Sequence, residues 1–275
     1  MTRIALVGAG GKMGFRLAGK LKVARFDTSY VEVSESGRER LRTGLGLATT
    51  EAADACAGAD VVILAVPDTA IGKVAAGLDP HLKAGTMLVI LDAAAPFAGH
   101  LPKREDLVYF VTHPCHPPIF NDETDAAAKR DFFGGVAAKQ HIVSALMQGP
   151  EDAFELGEEI ARIIWAPVMR SHRITVEQMA LLEPGLSETL CASLLDVMRE
   201  AMDEVVARGV PKEAARDFLL GHMNVLGAVI FEETPGVFSE ACNKAIEFGK
   251  PMLMRDDWKR IFEPRELEAS IRRIT

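Results

Sequence analysis

Two imidazoles stand three residues apart in Thr112-His113-Pro114-Cys115-His116-Pro117-Pro118, a segment stiffened by prolines. Such a pair can act as a metal ligand beside a general base, or as two contacts to a substrate. Histidine changes charge near neutrality and ligates transition metals through either nitrogen. Two ligands do not by themselves make a metal site, and a packed histidine is the plainer reading of either one alone. Cys115, flanked by both, reads equally as a packed or a reactive thiol and receives no role. A second set of candidates is Glu177, Glu183 and Glu188, spread around Pro184-Gly185. In a helix Glu183 would lie among Leu181, Leu182 and Leu186, at a buried edge where a carboxylate needs a partner. A divalent cation shared with His116 would provide one. A cap or a solvated carboxylate at the proline break accounts for Glu183 equally well, and better for Glu177 and Glu188. Ser239, Asn243 and Lys244 offer polar groups that could reach a partner subunit, although a solvated helix face is the simpler account.

A different chemistry is written in Gly8-Ala9-Gly10-Gly11-Lys12-Met13-Gly14, which follows an apolar run and precedes a helical pattern. Gly8 permits a sharp turn, Gly10 or Gly11 lets the backbone approach a pyrophosphate, and Gly14 allows close packing of helix on strand. The anion would sit on the helix N-terminus, beside the backbone of Lys12 and Met13. The spacing departs slightly from G-x-G-x-x-G without weakening the expectation of a dinucleotide. Glu32 falls 18 residues after Gly14, where an acidic side chain accepts from adenosine ribose hydroxyls and favours NAD over NADP. Glu35 competes for that role, while Ser34 and Arg38 could instead hold a 2′-phosphate. Val66 and Pro67, followed by Asp68, close another apolar run and are candidate cofactor contacts, with Pro67 equally a simple turn former.

These groups need elements to position them. Residues 3 to about 113 alternate β-branched runs with amphipathic stretches, predicting strands at Arg3–Val7, Ser29–Val33, Asp60–Ala65, Thr86–Leu91 and Val108–Thr112. Helices are expected at Met13–Leu21, Arg38–Thr43 and Thr69–Leu78, the last capped by Asp68 or Thr69. Residues 114 to about 135 read as a connection or active-site loop, and His141–Leu146 as a further strand of the same sheet. From Pro150 the pattern turns to helix only: Glu151–Ile164, Thr175–Arg208, Lys212–Leu226 and Phe238–Met252. Pro184 predicts a kink or break near Glu183, and so long a helix favours packing against a second subunit. The expected architecture is α/β: a doubly wound, mainly parallel Rossmann domain over 1–149 and an all-α substrate and dimerisation domain over 150–275.

Composition narrows the rest. The 275 residues are 48% hydrophobic and 25% charged, ordinary for a globular chain of one or two domains. A net charge of −8 without basic clusters makes nucleic acid and anionic membrane poor partners. Cys56, Cys115, Cys191 and Cys242 lie far apart with no Cys-x-x-Cys, and neither a leader nor a long apolar span is evident. A soluble, cytoplasmic protein is the expectation.

A dinucleotide turn followed by a helical half resembles the superfamily of 6-phosphogluconate and β-hydroxyacid dehydrogenases over nearly the full chain. More narrowly, Gly10-Gly11-Lys12-Met13-Gly14, Thr112-His113-Pro114-Cys115-His116-Pro117 and Glu177-Gln178-Met179 leading to Leu182-Glu183-Pro184 resemble the D-apionate oxidoisomerase family. One departure from the wider superfamily is that Thr175–Arg208 contains no lysine for the usual catalytic position. The resemblance implies NAD-dependent oxidation of the C2 hydroxyl of D-apionate. A hydroxymethyl shift from C3 to C2 then gives 3-oxoisoapionate. Such a shift is akin to an acyloin rearrangement and benefits from a Lewis acid. On that implication His116 and Glu183 are the metal ligands, for Zn²⁺, Mn²⁺ or Mg²⁺, His113 is the base and Glu188 its weaker alternative. A homodimer through the helical half is implied as well. A plain hydroxyacid or prephenate-like dehydrogenase using His113, and a non-catalytic NAD sensor, are the competing readings.

Overall fold

The computed structural model describes residues 1–275. Four short, wholly apolar or half-apolar runs form parallel strands: β1 (Arg3–Val7), β2 (Asp27–Val31), β3 (Val61–Leu64) and β4 (Met87–Ile90). They are joined by β5 (Val108–Pro114), β6 (Gln140–Gln148) and β7 (Val168–Arg173) in one sheet of order β2-β1-β3-β4-β5-β6-β7. Only the β5–β6 pair is antiparallel. Strand order reverses beside β1, so the loops after β1 and β3 diverge and leave a crevice at the carboxyl edge, where open α/β sheets bind ligands.

Helices α1 (Lys12–Lys22), α2 (Glu35–Leu45), α3 (Ala52–Gly58), α4 (Asp68–Leu78), the short α5 (Ala94–Phe97) and α6 (Ala153–Ile164) flank the sheet. Alternation along the strands sends Ile4, Leu6, Val61, Ile63, Val89 and Phe110 into one core with Leu17 and Leu21 of α1 and Ile160 and Ile164 of α6. The intervening Ala5, Val62, Leu64, Leu88 and Ile90 are equally buried, as strands covered on both faces require. Beyond β7 come α7 (Val176–Ala180), a π-helical stretch over Leu181–Ala192, α8 (Ser193–Ala207), α9 (Lys212–Ile230), α10 (Glu240–Leu253) and α11 (Pro264–Ile274).

Several expectations need correction. The helix-only reading after Pro150 fails at β7, an edge strand of sequence Val-Met-Arg-Ser-His-Arg whose side chains are mostly half-buried or exposed. It carries no apolar alternation to read. Helices α3, α5 and α11 lie outside the expected set as well. The N-cap of α4 is Pro67, with no side-chain cap, rather than Asp68 or Thr69. The interruption expected near Glu183 takes the form of wide π turns over Leu181–Ala192, which follow α7 and carry the chain past Pro184, a residue with no N–H to give.

The chain divides into two compact units, Met1–Glu183 with Glu268–Thr275, and Pro184–Leu267. In the second unit α8 and α10 bury no residue and α9 buries only Ala215. No helix is long and apolar enough to cross a membrane.

Candidate active site

The turn after β1 is shaped first by its backbone. Gly8 has φ +79°, and its N–H and that of Ala9 donate to the Val31 carbonyl at 2.9 and 3.0 Å. A Cβ on Gly14 would lie 2.0 Å from the Gly8 carbonyl oxygen, and one on Gly10 would lie 2.5 Å from Gly37 Cα. Two main chains therefore touch at Gly10 and Gly37. The N-cap of α1 is Gly11, with no side-chain cap, so the first N–H groups of α1, beginning with Lys12 and Met13, have no helical acceptor, as at helix ends that hold anions. Val66 sits beside Gly8, its Cγ1 3.0 Å from where a Gly8 Cβ would be, and Pro67 begins the next helix.

Glu32 follows β2 directly and is buried. Its Oε2 accepts from Gly10 N–H at 2.9 Å, and its Oε1 from Ser34 N–H and Oγ–H at 2.8 and 2.9 Å. Burial pushes the carboxyl pKa up, but the bonds from Ser34 and Gly10 outweigh it and hold the group below its ordinary value. Arg40 completes the brace by donating to the Gly10 carbonyl at 3.1 Å. Ser34 caps α2 through Gly37 N–H, and Arg38 donates to the Glu32 carbonyl at 2.8 Å. Glu35 stands in the first turn of α2, where a carboxylate suits the helix N-terminus.

Three strands' ends away, the structure brings Asp92, His113 and Glu183 together, one ligand atom from each lying within 4.8 Å of the others. Asp92 comes two residues after β4, with Oδ1 accepting the Ala94 N–H at 2.6 Å. His113 is the penultimate residue of β5 and Glu183 lies in the π-helical stretch. His113 Nδ1 is 2.8 Å from the Pro114 carbonyl and 3.6 Å from Glu183 Oε2. A carbonyl only accepts, so Nδ1 carries the proton and Nε2 keeps its lone pair. Burial lowers the His113 pKa against the opposing pull of Asp92, which leaves a neutral imidazole at pH 7. Burial, with the negative charges of Asp92 and Asp68, pushes Glu183 up to about 7 despite nearby His116. Leu181, Leu182 and Leu186 are exposed and do not cause that burial.

His116 turns back from the strand end with φ +60°, its ring 5.8 Å from that of His113 and edge-on to it. Cys115 donates its N–H to the His141 carbonyl, and burial, then Glu183, pushes its thiol pKa up, a setting that disfavours thiolate chemistry. Glu177 lies in the first turn of α7, its pKa lowered by the Thr175 hydroxyl. Glu188 is exposed in the Pro184–Leu267 unit, as are Asn243 and Lys244 on α10, where Lys244 pairs with Glu240. Ser239 caps α10. Sequence reasoning missed Asp92, whose signal was positional: an acid just past a buried strand, at the edge where ligands bind.

A family model described as phosphogluconate dehydrogenase (decarboxylating), C-terminal, matches residues 121–275. Another, NADP oxidoreductase coenzyme F420-dependent, matches residues 3–96. A D-apionate oxidoisomerase of Rhizobium rhizogenes is 75% identical over 275 residues, 100% of either chain. One from Cupriavidus necator is 69% identical over 99% of each. A solved structure from Cupriavidus necator, of a semialdehyde dehydrogenase NAD-binding protein in complex with calcium and NAD, matches with a TM-score of 0.98 and 68% identity over 100% of both chains. Identity of this order over the whole length makes the chain a member of the D-apionate oxidoisomerase family, within the superfamily of 6-phosphogluconate dehydrogenase.

Proposed function

We propose that the chain is an NAD-dependent oxidoisomerase that converts D-apionate to 3-oxoisoapionate. The observation that carries this reading is a neutral His113 set against two carboxylates at the carboxyl edge of a dinucleotide-type sheet. The cofactor contacts are Gly8, Gly10, Gly11, Lys12, Met13, Gly14, Glu32, Val66 and Pro67. Glu32, ionised at the end of β2, favours free ribose hydroxyls and hence NAD. Two carboxylates crowded with one imidazole, Glu183 held half-protonated by burial and by Asp92, form a donor set that a divalent cation would relieve. Asp92 joins Glu183 as its holder, with His116 at the rim.

When bound, NAD⁺ supplies the hydride acceptor and the cation a Lewis acid for the C2 oxygen. His113 takes the proton from the C2 hydroxyl as that carbon is oxidised. In the second step the hydroxymethyl carbon leaves C3 with its bonding pair and joins C2. O2 becomes a hydroxyl and O3 a ketone, so His113 returns a proton to O2 and accepts the one on O3. The skeleton is isomerised, and the net loss is one hydride and one proton. Glu188 has no place in this scheme as an exposed group, and His113 alone is assigned as base.

The test is turnover of D-apionate with NAD⁺, with and without EDTA, and identification of the product by NMR. NADH with the rearranged 3-oxo skeleton, abolished by EDTA, is expected. NADH with an unrearranged 2-keto acid reduces the chain to a plain dehydrogenase. Saturable NAD binding with no turnover across sugar acids would make it a sensor.

The enzyme is further proposed to be a homodimer through its helical unit. Leu194, Leu195, Met198, Phe218, Val225 and Phe248 are among its exposed large apolar side chains, more than a solvated surface carries without an occupant. Sedimentation should give about twice the 29.8 kDa chain mass, and a monomer at micromolar concentration would refute this. All four cysteines are free, which supports a reducing, cytoplasmic setting.

A further inference from the structure

Phe133 stands where the cofactor helix and the histidines meet. Lys12 Nζ lies over its ring at 4.5 Å from the centroid, and Arg16 Cζ at 5.2 Å. The His116 ring meets it edge-on at 6.3 Å, and the Phe133 carbonyl lies 2.9 Å from His116 Nδ1. Since a carbonyl only accepts, His116 Nδ1 carries a proton and donates it. The contacts run without interruption from the start of α1 through Phe133 and His116 to His113.

His116 needs such a hold. A side chain at φ +60° sits in the left-handed region that non-glycine residues seldom adopt. The segment that supplies the hold is itself built: Asp131 Oδ2 accepts the N–H groups of Val136, Ala137 and Ala138 at 3.0, 2.8 and 3.1 Å. Gly134 and Gly135, with φ of +70° and +78°, turn the chain just after Phe133. Yet Phe133 is 53% exposed, so burial does not explain its place. The two cations on its face and the imidazole at its edge do.

We infer that Phe133 is a positioning residue that fixes the orientation and tautomer of His116 by anchoring it to Lys12 and Arg16 of the cofactor helix. The inference rests on the reading that His116 belongs to the reaction site, and it names what holds that histidine ready.

Three full-length variants test it, Phe133→Tyr, Phe133→Leu and Phe133→Ala, by long-range proton–nitrogen NMR of the His116 ring and by steady-state kinetics. The wild type and Phe133→Tyr should show one tautomer, with the proton on Nδ1. Phe133→Leu keeps the bulk without the π face and should show a mixture of tautomers, with kcat lowered about tenfold. KM for NAD⁺ should rise only about two- to fivefold in Phe133→Leu. A Phe133→Leu variant that matches wild type in tautomer and kcat overturns the inference, since bulk alone would then suffice. If Phe133→Ala misfolds, the Tyr and Leu pair still decides. Wild-type turnover in His116→Ala would instead count against the role of His116 in the reaction, and the tautomer comparison would judge Phe133 independently of it.

Discussion

A His113→Ala variant is expected to bind NAD within about twofold of wild type and to turn over the sugar acid about 10²- to 10⁴-fold more slowly. The magnitude is that of a lost general base, and the separation of binding from turnover follows from placement. His113 lies one residue from the end of β5, whereas the dinucleotide turn follows β1, with β3 and β4 between them in the sheet. The imidazole is held neutral by burial and oriented by the Pro114 carbonyl, so it is ready to accept a proton without first losing one. Calorimetric titration with NAD and initial-rate kinetics check both halves. Parallel loss of affinity and turnover would mark a histidine that only props the strand end. Loss of bound divalent cation in the same variant would make His113 a ligand and move the base elsewhere.

The second large effect is expected at Glu183. Its pKa rises from the ordinary 4.5 to about 7 because burial and the charges of Asp92 and Asp68 oppose ionisation. A raised pKa means that the folded chain holds this proton more tightly than the unfolded chain does. The stability it brings is complete below pH 4.5 and is lost as pH rises through about 7. A shift from 4.5 to about 7 corresponds to on the order of 3 kcal/mol if fully expressed. In Glu183→Gln that dependence vanishes. The melting temperature of the cation-free variant should therefore overtake wild type progressively between pH 4.5 and 7 and stay ahead above it. Turnover, in contrast, should fall about 100-fold or more. His113 acts with the opposite sign, because its lowered pKa costs stability as pH falls, and both proteins contain it. Parallel melting curves across that range would place the Glu183 pKa back among ordinary carboxylates.

Much of the fold was legible because burial imposes period. β1, β3 and β4 are sealed on both faces and must read as unbroken apolar runs, so only their ends moved by a residue. β7 was illegible for the converse reason: an edge strand paired on one side only has no need of an apolar face. The glycine turn was legible because three positions admit no Cβ. In the candidate site His113 and Glu183 could be picked out by residue type beside prolines, yet their being neighbours could not, because they lie 70 residues apart and meet only through the topology. Asp92 carried only a positional signal, as an acid two residues past a buried strand. Phe133 was hidden by its exposure and by a loop whose shape depends on Asp131 and on left-handed glycines.

The carboxylate of Glu32 does more than mark the end of β2. It is at once the acceptor for Gly10 and Ser34 and the wall against which Gly37 packs, a Gly37 Cβ falling 2.6 Å from Glu32 Cδ. Retargeting the crevice to a phosphorylated ribose by exchanging this one side chain would thus withdraw a strut from the turn it was meant to retune. The transferable module is the whole run from Glu32 to Arg40, which a protein engineer would have to graft as a single cassette with Gly10 and Gly37 left in place.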